Sequence, residues 1–154
     1  MFDHASRAVK ATISQAANEA ALRGDRRIGT DHLLLGLLHD REAARMIGAD
    51  LEQAQAAARQ LDRTALTAIG IDPGEMTLAQ EPVGARHAPP TSGMRATMVR
   101  AFIIASEEHQ REVEPRHLLQ ALLELEPPDP AAALLQALGI SQNSTASDTT
   151  RPSP

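Results

Sequence analysis

The sequence contains no cysteine, no tryptophan and no tyrosine, and only two of its 154 residues are phenylalanine. Without cysteine, disulfides, thiolate-ligated metals and cysteine nucleophiles are excluded. With so few aromatic rings, stacking on nucleic-acid bases is nearly unavailable. The net charge is −5 and the basic residues are scattered, which is a poor electrostatic match for nucleic acid. We therefore expect no nucleic-acid partner.

Long apolar runs and catalytic motifs are also missing. The longest apolar stretches resemble "HLLLGLL", which is too short to span a bilayer, so no membrane association is expected. The start "MFDHASRAVK" lacks a basic segment followed by an apolar one, which predicts a cytoplasmic protein. No phosphate-binding loop, HExxH, G-x-S-x-G or glycine-rich dinucleotide turn occurs. We therefore predict no enzyme, no catalytic residue, no cofactor and no metal.

What the sequence does contain is a repeat. Residues 6–38 align with residues 91–123 without a gap, and ten of the 33 pairs are identical. The identical pairs are Ala11/Ala96, Thr12/Thr97, Ala16/Ala101, Ala20/Ala105, Arg26/Arg111, His32/His117, Leu33/Leu118, Leu34/Leu119, Leu37/Leu122 and Leu38/Leu123. The matches keep one register across a helix, a turn and a second helix, which indicates a duplicated module.

Each copy is predicted to form a helix, a turn and a second helix. Ser6 and Thr91 are expected to cap the opening helices, and Gly24 suits the position just after the first one. Thr30 is predicted to cap the second helix of copy one, while Pro115 fits the first turn of its counterpart. The predicted core stripes are Val9, Ile13, Ala16, Ala17 and Ala20 with Leu33, Leu34, Leu37 and Leu38 in copy one, and Met94, Met98, Ala101, Phe102 and Ala105 in copy two.

The rest of the chain extends this pattern. Repeat one is predicted at residues 1–69, repeat two at 91–141, a linker rich in proline and glycine at 70–90, and a disordered polar tail at 142–154. Shorter apolar pieces follow each leucine helix at 42–51 and 130–141, and a helical pattern continues over 50–69. No comparable segment follows Ile140, and no alternating strand pattern occurs. An all-α fold is predicted.

The start "MF", the stretch "IGTDHLLLGLL" and the later "HLLQALL" with "PAAALLQALGI" resemble the double repeat of the Clp N-terminal domain. That domain caps AAA+ unfoldases such as ClpC and ClpA. The resemblance covers about residues 1–141 and is closer in copy one than in copy two. It implies two four-helix repeats related by a pseudo-two-fold axis, here with the last helix missing. We expect the histidine before each leucine pair to be structural, because no second ligand has a metal-like spacing.

The resemblance also implies a recognition role. Clp N-terminal domains dock substrates and adaptor proteins of the Clp ATPase, and in some bacteria they bind phosphorylated arginine. In that role an acidic residue pairs with the guanidinium while helix N-terminal amides hold the phosphoryl group. Thr30 and Asp31 match this position, whereas Pro115 and Arg116 replace them in copy two, so a second site is not expected. The alternative is that Asp31 only interacts favourably with the helix dipole.

The family has a second surface, where the N-terminal phenylalanine meets the opening helix of repeat two, and in actinobacterial relatives cyclic peptide antibiotics bind there. Phe2 and Arg95 match that surface, although Pro90 would change one wall. Phe2 is equally consistent with a core residue or a frayed terminus. The resemblance thus also implies a pocket for such peptides.

The function predicted from these observations is a non-catalytic protein-binding module. It is either a free-standing protein, which the natural-looking start and the polar tail favour, or an N-terminal domain cut from a longer chain. It would act as an adaptor, decoy or regulator of Clp-dependent proteolysis by binding substrates, degrons or adaptors. One alternative is sequestration of cyclic peptide antibiotics. Another is a helix-turn-helix DNA-binding regulator built on residues 94–125, but its reading helix would offer only Arg116, His117 and Gln120.

Overall fold

A computed structural model describes residues 4–72 and 88–140 of the chain. These residues form seven α-helices and no strand, which confirms the all-α prediction. The helices are α1 Arg7–Leu22, α2 Thr30–Leu37, α3 Arg41–Ile47, α4 Leu51–Ala68, α5 Ser92–Glu107, α6 Pro115–Leu123 and α7 Pro130–Ala137. No helix in this described part is long and apolar enough to cross a membrane. The predicted absence of an eighth helix, the tail and most of the predicted linker lie outside the described residues.

Local capping explains where the helices begin and end. The Ser6 hydroxyl accepts a hydrogen bond from the Val9 amide at 3.2 Å, and Thr91 does the same for Met94 at 3.1 Å. Gly24 follows α1 with φ +71°, a left-handed conformation that glycine adopts without steric cost. The predictions for Ser6, Thr91 and Gly24 are confirmed, as is Pro115 as the first residue of α6.

The prediction that Thr30 caps α2 was wrong. The N-cap of α2 is Gly29, and Thr30 is already the first helical residue. The helix begins there because the His32 side chain accepts a hydrogen bond from the Gly29 amide at 2.8 Å. The Thr30 hydroxyl instead donates to Asp129 Oδ1 at 2.7 Å and accepts from the Ala131 amide at 3.2 Å. Thr30 therefore joins the start of α2 to the start of α7 in the other copy.

The two repeated histidines have matching structural roles. His32 Nδ1 accepts from the Gly29 amide and His117 Nδ1 from the Glu114 amide, both at 2.8 Å. Because Nδ1 accepts in each case, the ring proton resides on Nε2. Nε2 then donates to a carboxylate, Asp25 at 2.7 Å for His32 and Glu108 at 3.2 Å for His117. Both nitrogens of each ring are engaged, which confirms that these histidines are structural.

Backbone ties between the copies show the pseudo-two-fold relation. Four hydrogen bonds connect the segment before one copy's opening helix to the turn of the other copy. They join Ser6 N to Val113 O at 3.0 Å, Val113 N to His4 O at 2.8 Å, Thr91 N to Ile28 O at 2.9 Å and Ile28 N to Pro89 O at 3.0 Å. Residue 6 aligns with residue 91, so equivalent residues differ by 85 in number. Replacing each residue of the first two bonds by its equivalent in the other copy gives the last two bonds. The two halves therefore pack isologously.

The predicted stripes form one shared core. All four leucines of the copy-one stripe are at most 4% exposed. The copy-two stripe is fully buried except for Phe102, which is partly buried. Copy one is packed more tightly at one point, where α2 crosses α1. A Cβ on Gly36 would lie 2.5 Å from the Thr12 carbonyl oxygen and 2.7 Å from the Ala16 amide nitrogen. Only glycine permits this approach, whereas copy two has Ala121 at the equivalent position.

Candidate functional site

Asp31, the predicted recognition carboxylate, lies on the first turn of α2 and is held by an arginine of its own chain. Arg23 Nη1 donates to Asp31 Oδ2 at 2.6 Å. Arg23 Nη2 donates to both carboxylate oxygens of Asp62 on α4 at 2.9 Å. Asp25 Oδ2 lies 3.7 Å from Arg23 Nε. We call Arg23, Asp25, Asp31 and Asp62 the Arg23 cluster.

The Arg23 cluster carries more negative than positive charge. One guanidinium faces three carboxylates, a formal sum of +1 − 3 = −2. Burial works to lower the pKa of Arg23, but the hydrogen bonds to Asp31 and Asp62 outweigh it and the pKa is raised. The pKa of Asp25 is lowered, first by the hydrogen bond from His32 and, despite partial burial, also by the charge of Arg23. The contacts within the cluster therefore favour the charged forms of Arg23 and Asp25.

A groove of about 320 Å³ opens between α1 and α4 beside this cluster, and Arg23 and Asp62 line it. Its buried acid is Glu19, only 3% exposed, which sequence analysis did not identify. Glu19 accepts from His39 Nε2 at 3.0 Å and from Gln55 Nε2 at 3.0 and 3.2 Å. One signal was available, since Glu19 adjoins the buried stripe position Ala20. Nothing in the sequence nearby pointed to its partner on α4.

Thr30 lies close to Asp31 in sequence but faces a different neighbour. It is 1% exposed, and its hydroxyl is already engaged by Asp129 and Ala131. The Asp31 side chain is 15% exposed and faces Arg23. The structure thus does not bring the two predicted side chains together around one accessible point. Their roles in binding a partner stay predictions.

The equivalent position in copy two is built differently. Arg116 pairs with Glu108, whose pKa is lowered by the hydrogen bonds from Arg116 and, next, from His117. Pro115 has no hydroxyl that could bond to the other copy as Thr30 does. Beside Pro115 lies a groove of about 240 Å³, which is also lined by Met46. The two pseudo-symmetric helix starts therefore present different surfaces.

The residues predicted for the peptide pocket are only partly described. Phe2 lies outside the described residues. Arg95 is exposed on α5, and its Nη2 donates to the Pro90 carbonyl oxygen at 3.2 Å. The Pro90 segment is in turn tied to copy one through the pairing of Ile28 with Pro90. The peptide pocket remains a prediction.

No group of histidine, aspartate and glutamate side chains among residues 4–72 and 88–140 has the geometry of a metal site. The polar side chains that do cluster make hydrogen bonds within the fold. The helix starts are bonded by His32, His117 and Thr30. Arg23, at the end of α1, bonds to residues of α2 and α4. The arrangement therefore offers charge and shape for binding.

Comparison with known proteins agrees with this architecture. The family model described as "Clp repeat (R) N-terminal domain" matches residues 90–153. This match falls on copy two, which the sequence comparison had placed further from the family pattern than copy one. No curated protein matches the chain.

Among solved structures, the chain is similar to the N-terminal domain of the caseinolytic protease associated chaperone ClpD from Arabidopsis thaliana. The TM-score is 0.70 at 19% identity, over 93% of this chain and 92% of the other. At that identity the likeness establishes the fold, while the match to copy two adds the sequence signature of the repeat. The duplicated helices and their two-fold ties thus form the fold of a Clp N-terminal domain, and residues 90–153 carry the Clp repeat signature.

Proposed function

We propose that the chain is a non-catalytic protein-binding module that acts as an adaptor, decoy or regulator of Clp-dependent proteolysis. The observation that carries this proposal is that a Clp N-terminal domain fold accounts for nearly the whole chain. Its substrates, degrons or adaptors would be those that Clp unfoldases also engage. The hydrogen bonding of His32 and His117 assigns these two histidines to the fold, because neither ring keeps a free nitrogen for general acid–base chemistry.

The test is degradation of a model client by a reconstituted Clp ATPase and protease with increasing amounts of the chain. A decoy lowers the initial rate in a saturable way, and client excess restores it. An adaptor raises the rate for some clients. An unchanged rate for every client tested, with no binding to the ATPase or its clients, would refute the proposal.

Within this function we propose Asp31 as the carboxylate that receives a guanidinium, including that of phosphoarginine. The support is the existing contact, since Arg23 shows that a guanidinium fits against Asp31 at 2.6 Å. An incoming guanidinium would displace Arg23 from Asp31 while Asp62 keeps holding it from α4. The amides of the first turn of α2 would hold the phosphoryl group. Thr30 would keep this turn in place through its bonds to Asp129 and Ala131.

Calorimetry with free phosphoarginine tests this assignment. We expect measurable heat for the wild type and at least about tenfold weaker binding for Asp31→Ala, because one charge-assisted pair is lost. Glu52→Ala is the matched control, since it removes an exposed carboxylate of α4 that lies outside the Arg23 cluster, and it should bind like the wild type. Equal heats for the wild type and Asp31→Ala would remove Asp31 from the site.

The peptide-sequestering alternative rests on Arg95, which is exposed on α5. Titration with a cyclic peptide antibiotic separates it from the main proposal. Arg95→Ala should weaken binding, whereas Lys10→Ala, the equivalent cation on α1, should not. Equal affinities for both variants would exclude Arg95 from any such pocket.

The DNA-binding alternative is disfavoured by the structure of α6. His117 is 0% exposed, and Arg116 is paired with Glu108. A recognition helix needs exposed polar and basic side chains at its N-terminal end to reach base edges. A mobility shift on random duplex DNA that weakens steeply with salt would revive this alternative.

A further inference from the structure

The solvent face of α5 is apolar at its centre. Val99 is 47% exposed and Ile103 is 44% exposed, and residues four apart share a helix face. The fold does not need these side chains. Their counterparts on α1 are Ser14 and Asn18, which are exposed at the same positions of the same module. Within the residues that the structure describes, the apolar face of α5 is therefore open to a partner.

This face is also self-complementary in charge. Arg95 lies four residues before Val99, and Glu107 lies four residues after Ile103, and both charged residues are exposed. Both pairs are equidistant from Ala101, which is 0% exposed. At about 100° per residue, the four side chains span an arc of about 120° directly opposite Ala101. A basic end, an apolar centre and an acidic end thus form one stripe.

The residues beside the stripe follow the same symmetry. Ala96 and Ser106 are equidistant from the centre, are both exposed and are small enough to let another helix approach. Within the described residues, Glu107 has a 3.9 Å contact with Arg100, and Arg95 donates one hydrogen bond to a backbone carbonyl. Both charges therefore retain hydrogen-bonding capacity for a partner.

We propose that α5 is a homodimer contact that packs antiparallel against α5 of a second copy of this chain. When the i±4 ridges of two helices run alongside each other in opposite directions, Val99 meets the partner's Ile103 and Arg95 meets the partner's Glu107. Two-fold symmetry forms each contact twice. A parallel arrangement would instead oppose like charges. The stripe is short, so the dimer is weak and reversible.

Sedimentation equilibrium of the full chain from micromolar to millimolar concentration tests the proposal. The variant Val99→Ser with Ile103→Asn installs the residues that the equivalent helix already uses, so the fold is preserved. We expect its dimer dissociation constant to rise at least about tenfold. Leu22→Gln, which changes another exposed apolar residue on α1, is the matched control and should leave dimerisation unchanged.

Charge reversal tests the antiparallel geometry. Arg95→Glu alone and Glu107→Arg alone should each weaken dimerisation, because each places like charges together twice. An equimolar mixture of the two variants should recover it, because every contact then joins Glu to Arg. A wild type that stays monomeric at millimolar concentration, a dimer unaffected by the Val99 and Ile103 changes, or a mixture that does not recover would each overturn the proposal.

Discussion

Replacing Gly36 by alanine tests the close approach of α1 and α2. The new Cβ would lie 2.5 Å from the Thr12 carbonyl oxygen and 2.7 Å from the Ala16 amide nitrogen. Both atoms belong to the backbone of α1, so no side-chain rotation can relieve the overlap and the helices must separate. Overpacking of this kind costs about 1–3 kcal/mol. Alanine regains about 1 kcal/mol through its higher helix propensity.

The net effect expected for Gly36→Ala is a loss of up to about 2 kcal/mol in the free energy of unfolding, whereas a helical glycine without the overlap would gain about 1 kcal/mol on the same change. For a domain of this size, that loss corresponds to a Tm lowered by up to about 8 °C. Urea denaturation followed by circular dichroism measures it. Gly93→Ala on α5 is the control, since its Cβ would meet Asp129 Oδ2 and Thr30 Cγ2 at an ordinary 3.6 Å. Equal stability of the two variants would refute the close approach of α1 and α2.

The remaining predictions concern Asp25 and Thr30. Because the folded-state pKa of Asp25 is lowered, its stabilisation is present above the unfolded-state pKa of about 3.9 and is lost as pH falls through the folded-state value. The unfolding free energy of Asp25→Asn should therefore fall less steeply with decreasing pH than that of the wild type below about pH 4. The control Glu52→Gln, at an exposed position, should follow the wild type. Identical slopes of unfolding free energy against pH for Asp25→Asn and the wild type would contradict this prediction. Thr30→Val should cost about 1–3 kcal/mol because Asp129 and the Ala131 amide lose a partner in the other copy. Thr12→Val, whose hydroxyl bonds within α1, should cost less, and equal losses for the two would argue against the inter-copy role.

Most of the fold was predictable because its determinants are local or repeated. Ser6 and Thr91 stand three residues before the amides they cap. The stripes of α1, α2 and α5 follow helical spacing, so burial could be inferred from sequence alone. The repeat then implied how two such units shield each other, since neither buries its apolar stripe alone.

The candidate site was less predictable because its partners are distant in sequence. Thr30 bonds Asp129, which lies 99 residues away. Arg23 reaches Asp62, 39 residues away, and by doing so holds Asp31. A hydroxyl or guanidinium at a helix end has several local uses, and only packing of the helices decides among them. Sequence analysis therefore identified Asp31 but not the arginine that already binds it.

The duplication supplies an internal comparison that separates what the fold requires from what it does not. The backbone ties and the two histidines recur in both copies, so they maintain the architecture. Other positions differ between the copies while the architecture stays the same. Copy one has Asp31 where copy two has Arg116. Copy two has Val99 and Ile103 where copy one has Ser14 and Asn18. Recognition is expected where the copies differ, which gives one Asp31 site per chain. An antiparallel α5 dimer would then carry two such sites on one particle, and a client with two basic segments would bind it with an avidity that either site alone lacks.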